Sequence, residues 1–278
     1  MIIWLASYPK SGNTLLRSIL ATYFFSKEGN FKFEHLYKIE QFPGIHHFKN
    51  LGVDTSDDKE VFKNFIEAQK LINKKTNSIK FIKTHSSLSR INNCNFTDLN
   101  NTLGAIYVVR DPRNVVKSFS HHYNLSVNEA TNAMTDQTRW LIKTDKVFKT
   151  FLSSWGVNYN SWKQLNDKVM FIKYEDLVDK KKTTLIKVFK FIKNLGMNNL
   201  QLDMNKLNKV IKSTEFQAMQ NLEKVEDFQE GVLDLKTKKR KTFFKFGSKN
   251  NWKKDLDEKN RKKIEKFFFK EMTELGYL

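Results

Sequence analysis

The 278-residue sequence contains one cysteine, Cys94. An internal disulfide is therefore excluded, as is a metal site built from clustered thiolates. A reducing compartment, the cytoplasm, is the expected setting. Long apolar runs are also missing: no stretch approaches the roughly 20 residues that a membrane-spanning helix needs. The opening MIIWLASYPKSGNT has no basic segment before its short apolar run, so neither a signal peptide nor an anchor is expected. Repeats and proline-rich linkers are absent, and the length suits one α/β domain spanning 1–278. Acidic residues are in deficit. Against 49 Lys and Arg stand 30 Asp and Glu, a formal charge of +19. Such an excess favours an anionic ligand, although the chain's bias toward Lys, Asn, Ile and Phe accounts for the charge equally well. No cluster of carboxylates calls for a metal, and none is expected.

What is present is organised. Apolar runs at 2–6 (IIWLA), 79–82 (IKFI), 105–109 (AIYVV) and 169–172 (VMFI) each end in polar residues. Continuous runs rich in β-branched and aromatic residues suit strands buried on both faces, as in a parallel sheet. Helical periodicity lies between them, at 14–25, 61–72, 114–123, 185–192 and 264–275. Ser126 and Glu129 have the spacing of a capping box. The pattern predicts a central parallel sheet flanked by helices with right-handed crossovers. The least regular stretch is 222–248, which holds KTKKRK at 236–241; it reads as a flexible lid over an anionic ligand or as a solvated basic loop.

Ligands of open parallel sheets bind beyond the carboxyl ends of the strands. That rule would gather Lys10, Ser11, Thr14, Lys83, His85, Arg110 and Tyr174 into one cleft. In SYPKSGNT, Gly12 permits a tight turn, and the helix beyond it offers free N–H groups and a positive dipole end. Lys10 adds a charge, and Ser11 and Thr14 add hydroxyls. The loop reads as a phosphate cradle, but not as a Walker A loop, because Lys10 precedes the glycine. A second segment, AIYVVRDPRNVVKS, places Arg110 at a strand end and Ser118 eight residues later. An arginine fork binds phosphate bidentately; the alternative is a structural pair with Asp111. Arg113 is expected to begin the helix and face elsewhere. A third segment is Lys83-Thr84-His85, where a histidine near neutral pKa has the chemistry of a general base.

These segments together resemble the sulfotransferases that use 3′-phosphoadenosine 5′-phosphosulfate (PAPS). Tyr8 to Thr14 is similar to that family's 5′-phosphosulfate loop, YPKSGTTW, with Asn13 in place of a threonine and Leu15 in place of a tryptophan near the base. Arg110 and Ser118 resemble its 3′-phosphate segment. Lys83-Thr84-His85 resembles its K-T-H segment, in which the histidine is the base. Tyr174-Glu175-Asp176 resembles the YED segment beside the adenine. Thr214, Phe216 and Met219 resemble T-S-F-x-x-M at the base, with Glu215 replacing the serine. Lys245, Gly247 and Trp252 resemble the R-K-G…W clasp of the 3′-phosphate, with Phe246 at the usual lysine; Lys241 and Lys249 are possible substitutes.

The resemblance spans about Ile2 to Trp252. It implies a P-loop-kinase-like fold and in-line transfer of a sulfuryl group to an acceptor hydroxyl, leaving adenosine 3′,5′-bisphosphate (PAP). His85 would be the base, Lys10 the stabiliser of leaving-group charge, and Lys83 its assistant. Ser11, Gly12, Asn13 and Thr14 would hold the 5′-phosphate. The competing readings are a P-loop-type small-molecule kinase, with Asp111 as the magnesium ligand, and a basic RNA-binding protein. The basic residues are spread over the chain without a recognised RNA-binding motif, so no nucleic-acid partner is expected. The acceptor, a small molecule or a carbohydrate, would be shaped by segments near 35–60, 120–150 and 222–245, among them Phe42, His46, His47, Phe48, Tyr123 and Trp140. The sequence leaves both the acceptor and the oligomeric state open.

Overall fold

The computed structural model describes residues 1–74, 79–226, 228, 230–231, 242–245, 247 and 250–278. Its main sheet has four strands: β1 (Ile2–Ser7), β2 (Lys80–Thr84), β3 (Thr102–Val109) and β4 (Val169–Lys173). All pair in parallel, in the order β2-β1-β3-β4. Each of the four expected strands is present at its expected place. β3 begins three residues earlier than its apolar run suggests, at Thr102, whose hydroxyl accepts a hydrogen bond from the Trp4 indole at 2.8 Å.

Alternation along the strands divides the core between two faces. Trp4, Ala6, Tyr107 and Val109 point to one side, toward Val115, Phe119, Trp155 and Trp162. Ile3, Leu5, Ile106 and Val108 point to the other, toward Leu16, Leu20, Val188 and Phe189. The second face is covered by helices α1 (Asn13–Phe25), α3 (Lys181–Asn194) and α4 (Met204–Ser213). Helix α2 (Pro112–Tyr123) covers the first and opens on the sequence Asp-Pro, with Asp111 accepting from the Arg113 N–H and proline in the first turn, where a missing donor costs nothing. The capping box at Ser126 and Glu129 is formed.

Helical boundaries differ from the periodicity in two places. The pattern over 61–72 is two helices, Asp58–Lys63 and Phe65–Lys74. The C-terminal pattern is likewise split into Glu258–Phe267 and Phe269–Glu274, joined at the buried Phe268. The expected lid over 222–248 begins as ordered helix, since α5 runs Phe216–Val225. The basic stretch 236–241, with Lys241, and the positions Phe246 and Lys249 lie outside the described residues. Among the described residues no helix is long and apolar enough to cross a membrane.

Candidate active site

The connection from β1 runs to β2 on one side and that from β3 runs to β4 on the other, so the crossovers diverge between β1 and β3. A crevice opens at that point beyond the carboxyl ends. The loop after β1 fills it. Lys10 (φ 66°) and Gly12 (φ 106°) both take left-handed backbone, and the Asn13 amide ties the turn back by donating to the Leu5 carbonyl at 2.8 Å. Gly12 is required twice over. Beyond its φ, a Cβ there would lie 2.4 Å from Cδ2 of Tyr174. The Tyr174 ring thus lies directly on the loop, and the Arg110 guanidinium stacks on that ring at 4.2 Å. Arg110 Nη1 also donates to the Lys10 carbonyl at 3.3 Å, bridging the crevice. Several buried polar atoms around the crevice, among them Ser11 Oγ, Asn13 Oδ1, Arg17 Nε and Arg110 Nε, have no hydrogen-bond partner among the described residues. Buried donors left open in this way are costly unless a ligand satisfies them.

A cationic cluster lines the crevice. Lys83, the penultimate residue of β2, is buried. Arg17, one turn along α1 from Thr14, is buried as well. Between them sits Glu230. Its carboxylate forms an ion pair with Arg17, lies 3.6 Å from Lys83 Nζ and accepts from the Thr14 hydroxyl at 3.5 Å. Burial pulls the Lys10 ammonium down to about 7, with Lys83 and Arg110 adding to the effect and Glu230 opposing it. Burial likewise lowers Lys83 to about 8 against the pull of Glu230. For Glu230, burial would raise the carboxyl, but Arg17 and Lys83 outweigh it and hold it well below the usual range.

His85 stands beside this cluster. Its Nδ1 lies 2.8 Å from the Ser7 carbonyl, which only accepts, so Nδ1 carries the proton and Nε2 keeps its lone pair. Burial, then the charge of Lys83, lowers His85 to about 3; the ring is neutral at physiological pH. His122 in α2 feels the same cluster, its pKa depressed by burial and by Lys10 and Lys83.

The remaining sequence-predicted positions fall around the crevice. Ser118 is buried and accepts from the Asn250 amide at 3.0 Å. Arg113, not Arg110, makes the structural pair with Asp111, at 2.8 Å, and adds Glu265 and the Trp252 ring. Asp111, the metal ligand that a kinase would require, is consumed by that pair and by capping α2. Phe216 underlies Gly247, where a Cβ would meet the ring at 2.7 Å. Leu15, Phe216 and Met219 join Phe33, Phe228 and Phe244 in an aromatic cluster, and Phe243 lies under Lys10 Nζ at 3.7 Å. The Thr214 hydroxyl turns back to the Val210 carbonyl at 2.7 Å. Lys245 is exposed.

Glu230 and Arg17 also form the inner end of a cavity of about 450 Å³ that runs out to Glu40, His46, Lys49 and Asp145. Its walls come from parts of the segments expected to shape an acceptor site. Phe42 and Phe48 instead lie in the core. Sequence reasoning missed Arg17 and Glu230. Arg17 follows Thr14 by three residues and so shares its helix face. Glu230 carries no local signal; it is placed by Phe228, whose ring stacks on Phe33 at 4.6 Å.

The family model described as sulfotransferase domain matches residues 2–276. Among solved structures, mouse sulfotransferase SULT7A1 complexed with PAP is similar at 19% identity and a TM-score of 0.61, over 97% of this chain and 83% of that one. Retinol dehydratase in a complex with retinol and PAP is similar at 18% identity and a TM-score of 0.63, over 98% and 81%. The same enzyme in complex with androsterone and PAP gives 17%, 0.60, 98% and 80%. No curated protein sequence matches.

Proposed function

Since the chain belongs to the sulfotransferase family, we propose that it transfers a sulfuryl group from PAPS to the hydroxyl of a small-molecule or carbohydrate acceptor, with His85 as general base. The observation that carries this reading is the crevice between β1 and β3. A cationic pocket whose buried donors Ser11 Oγ, Arg17 Nε and Arg110 Nε have no partner among the described residues lies beside a neutral histidine whose Nε2 is a free base.

PAPS, when bound, supplies an activated sulfuryl group on a phosphate leaving group. The residues of this chain fit it. Ser11, Gly12, Asn13 and Thr14, at the start of α1, offer N–H groups and hydroxyls to the 5′-phosphate. Lys10 and Lys83 stabilise charge as it develops on the leaving oxygen. Arg110 and Ser118, with Lys245, take the 3′-phosphate. Leu15, Tyr174, Phe216, Thr214 and Gly247 border the base, and Arg110 on the Tyr174 ring joins the base side to the phosphate side. The cavity behind Glu230 takes the acceptor, whose proton passes to His85 Nε2. The catalytic set is therefore His85, Lys10 and Lys83. A chain with one free, partly exposed cysteine fits a reducing, cytoplasmic setting.

Radiolabelled PAPS incubated with a panel of phenols, alcohols, sterols and sugars tests the proposal. Label transferred to at least one acceptor class, and lost in Lys10→Ala, is the expected result. Failure across the panel, with PAP unable to bind, would refute it.

A further inference from the structure

At the outer end of the cavity the chain brings together three groups that belong neither to the proposed catalytic set nor to the donor cradle. We propose that Glu40, His46 and His47 bind one divalent ion of the zinc class. Glu40 Oε2 lies 3.4 Å from His46 Nε2 and 3.6 Å from His47 Nε2, and one ligand atom from each of the three falls within 4.8 Å of the others. Bonds of about 2.0–2.1 Å around a tetrahedral zinc separate neighbouring ligands by about 3.3–3.4 Å, so the two measured edges need little adjustment. Two imidazoles and a carboxylate form a borderline donor set that suits zinc, cobalt or nickel rather than the all-oxygen shells of calcium and magnesium.

The ligands stand on backbone that is already fixed. The Glu40 carbonyl accepts from Lys83 N at 2.8 Å, and Phe42 N donates to the Lys83 carbonyl at 2.9 Å. On the other side, Ile45 N donates to the Lys146 carbonyl at 2.9 Å and Phe148 N to that of Pro43 at 2.8 Å. The His46 ring lies against Gly44, where a Cβ would come within 2.8 Å of Cε1. Ordering the site thus costs little chain entropy. An ordinary surface ion pair accounts for the arrangement less well. In a chain with 49 Lys and Arg, this carboxylate faces two imidazoles, one of them buried.

Three protein ligands leave a fourth position. Glu40 and His46 also line the cavity that ends at Arg17 and Glu230, so the ion would stand at the entrance to the proposed acceptor site. No metal was expected from the sequence because its carboxylates are not clustered; two of these three ligands are adjacent histidines.

The test uses the full-length, tag-free chain, stripped with a chelator and titrated with zinc and with cobalt. One equivalent should bind, with the visible absorption of four-coordinate cobalt. His46→Ala, at a half-exposed position, and Glu40→Gln should each weaken binding by at least about 10–100-fold, the loss that removing even a supporting partner of a metal ligand causes. Affinity for PAP should not change, since neither residue belongs to the donor cradle, so the outcome is independent of the sulfuryl-transfer proposal. Equal metal binding by wild type and both variants, with unchanged melting temperatures, would place the ion elsewhere and overturn the inference. Absence of stoichiometric binding to the wild type would overturn it too.

Discussion

The carboxylate of Glu230 is paired with the guanidinium of Arg17 inside the cradle formed by Thr14 and Lys83. An internal anion thus lies among the groups proposed to receive an external one. Glu230→Gln removes that charge and should tighten PAP binding by about tenfold, the low end of what a charged hydrogen bond contributes. Calorimetry of both proteins decides the matter. Unchanged or weaker binding by the variant would show that Glu230 does not compete with the donor.

Lys10→Ala should slow transfer by roughly 10²–10³-fold, the effect of losing a charge stabiliser in a preorganised site. The lysines also set a pH dependence. In the free protein Lys10 titrates at about 7 and Lys83 at about 8, and a bound phosphate favours their charged forms. Donor binding therefore takes up protons, and affinity should fall as pH rises from 7 to 9. Phosphate groups, with a second pKa of about 6, are already dianionic there and do not produce the trend. Calorimetry at pH 8 in buffers of different ionisation enthalpy measures the uptake directly. A Kd independent of pH over this range would contradict the assignment.

The Ser7 carbonyl fixes the His85 tautomer, and burial keeps the ring neutral. Sequence reasoning alone leads one to expect an activity step near the ordinary histidine value of about 6.5; the buried position moves that step to well below pH 6. Single-turnover rates with saturating donor should show no rise between pH 6 and 7 from this group. His85→Ala should cost about 10²–10⁴-fold in rate while leaving PAP affinity nearly unchanged. A stable variant with high residual activity would remove His85 as the base.

Arg110→Ala should lose about 1.5–3 kcal/mol of binding for PAP and barely change binding of 5′-AMP, which lacks the 3′-phosphate. Equal losses for both nucleotides would assign Arg110 to the fold or to the other phosphate.

Gly12→Ala should strain a left-handed residue and push its methyl into Tyr174, the ring that carries Arg110. Strain of this kind costs about 1–3 kcal/mol, so the melting temperature and PAP affinity should fall together. A variant as stable and as tight-binding as the wild type would contradict the close approach of ring and loop.

The sheet was legible because strands covered on both faces must be apolar throughout, which leaves short β-branched runs that helices do not mimic. The helical stretches were found but not their breaks. At Phe267-Phe268-Phe269 the composition is uniform, yet only the middle ring is buried, the other two being exposed. The convergence of Lys10, Lys83, His85 and Arg110 was legible because all four lie at, or within three residues beyond, the carboxyl ends of sheet strands. Glu230 was not, since an aromatic cluster distant in sequence carries its loop into the crevice. Arginine roles were half legible: the sequence offered Arg110 either a phosphate or Asp111, and the structure gives Asp111 to Arg113.

On this reading the crevice between β1 and β3 receives a nucleotide with phosphates at both the 5′ and 3′ positions. The most direct measurement compares the affinities of the wild-type protein for PAP, 5′-AMP and ATP by calorimetry, with and without magnesium. PAP should bind about tenfold to a hundredfold more tightly than 5′-AMP, the value of one charge-assisted phosphate contact, and magnesium should make no difference. Equal affinity for PAP and 5′-AMP, or tightest binding of ATP in the presence of magnesium, would contradict it.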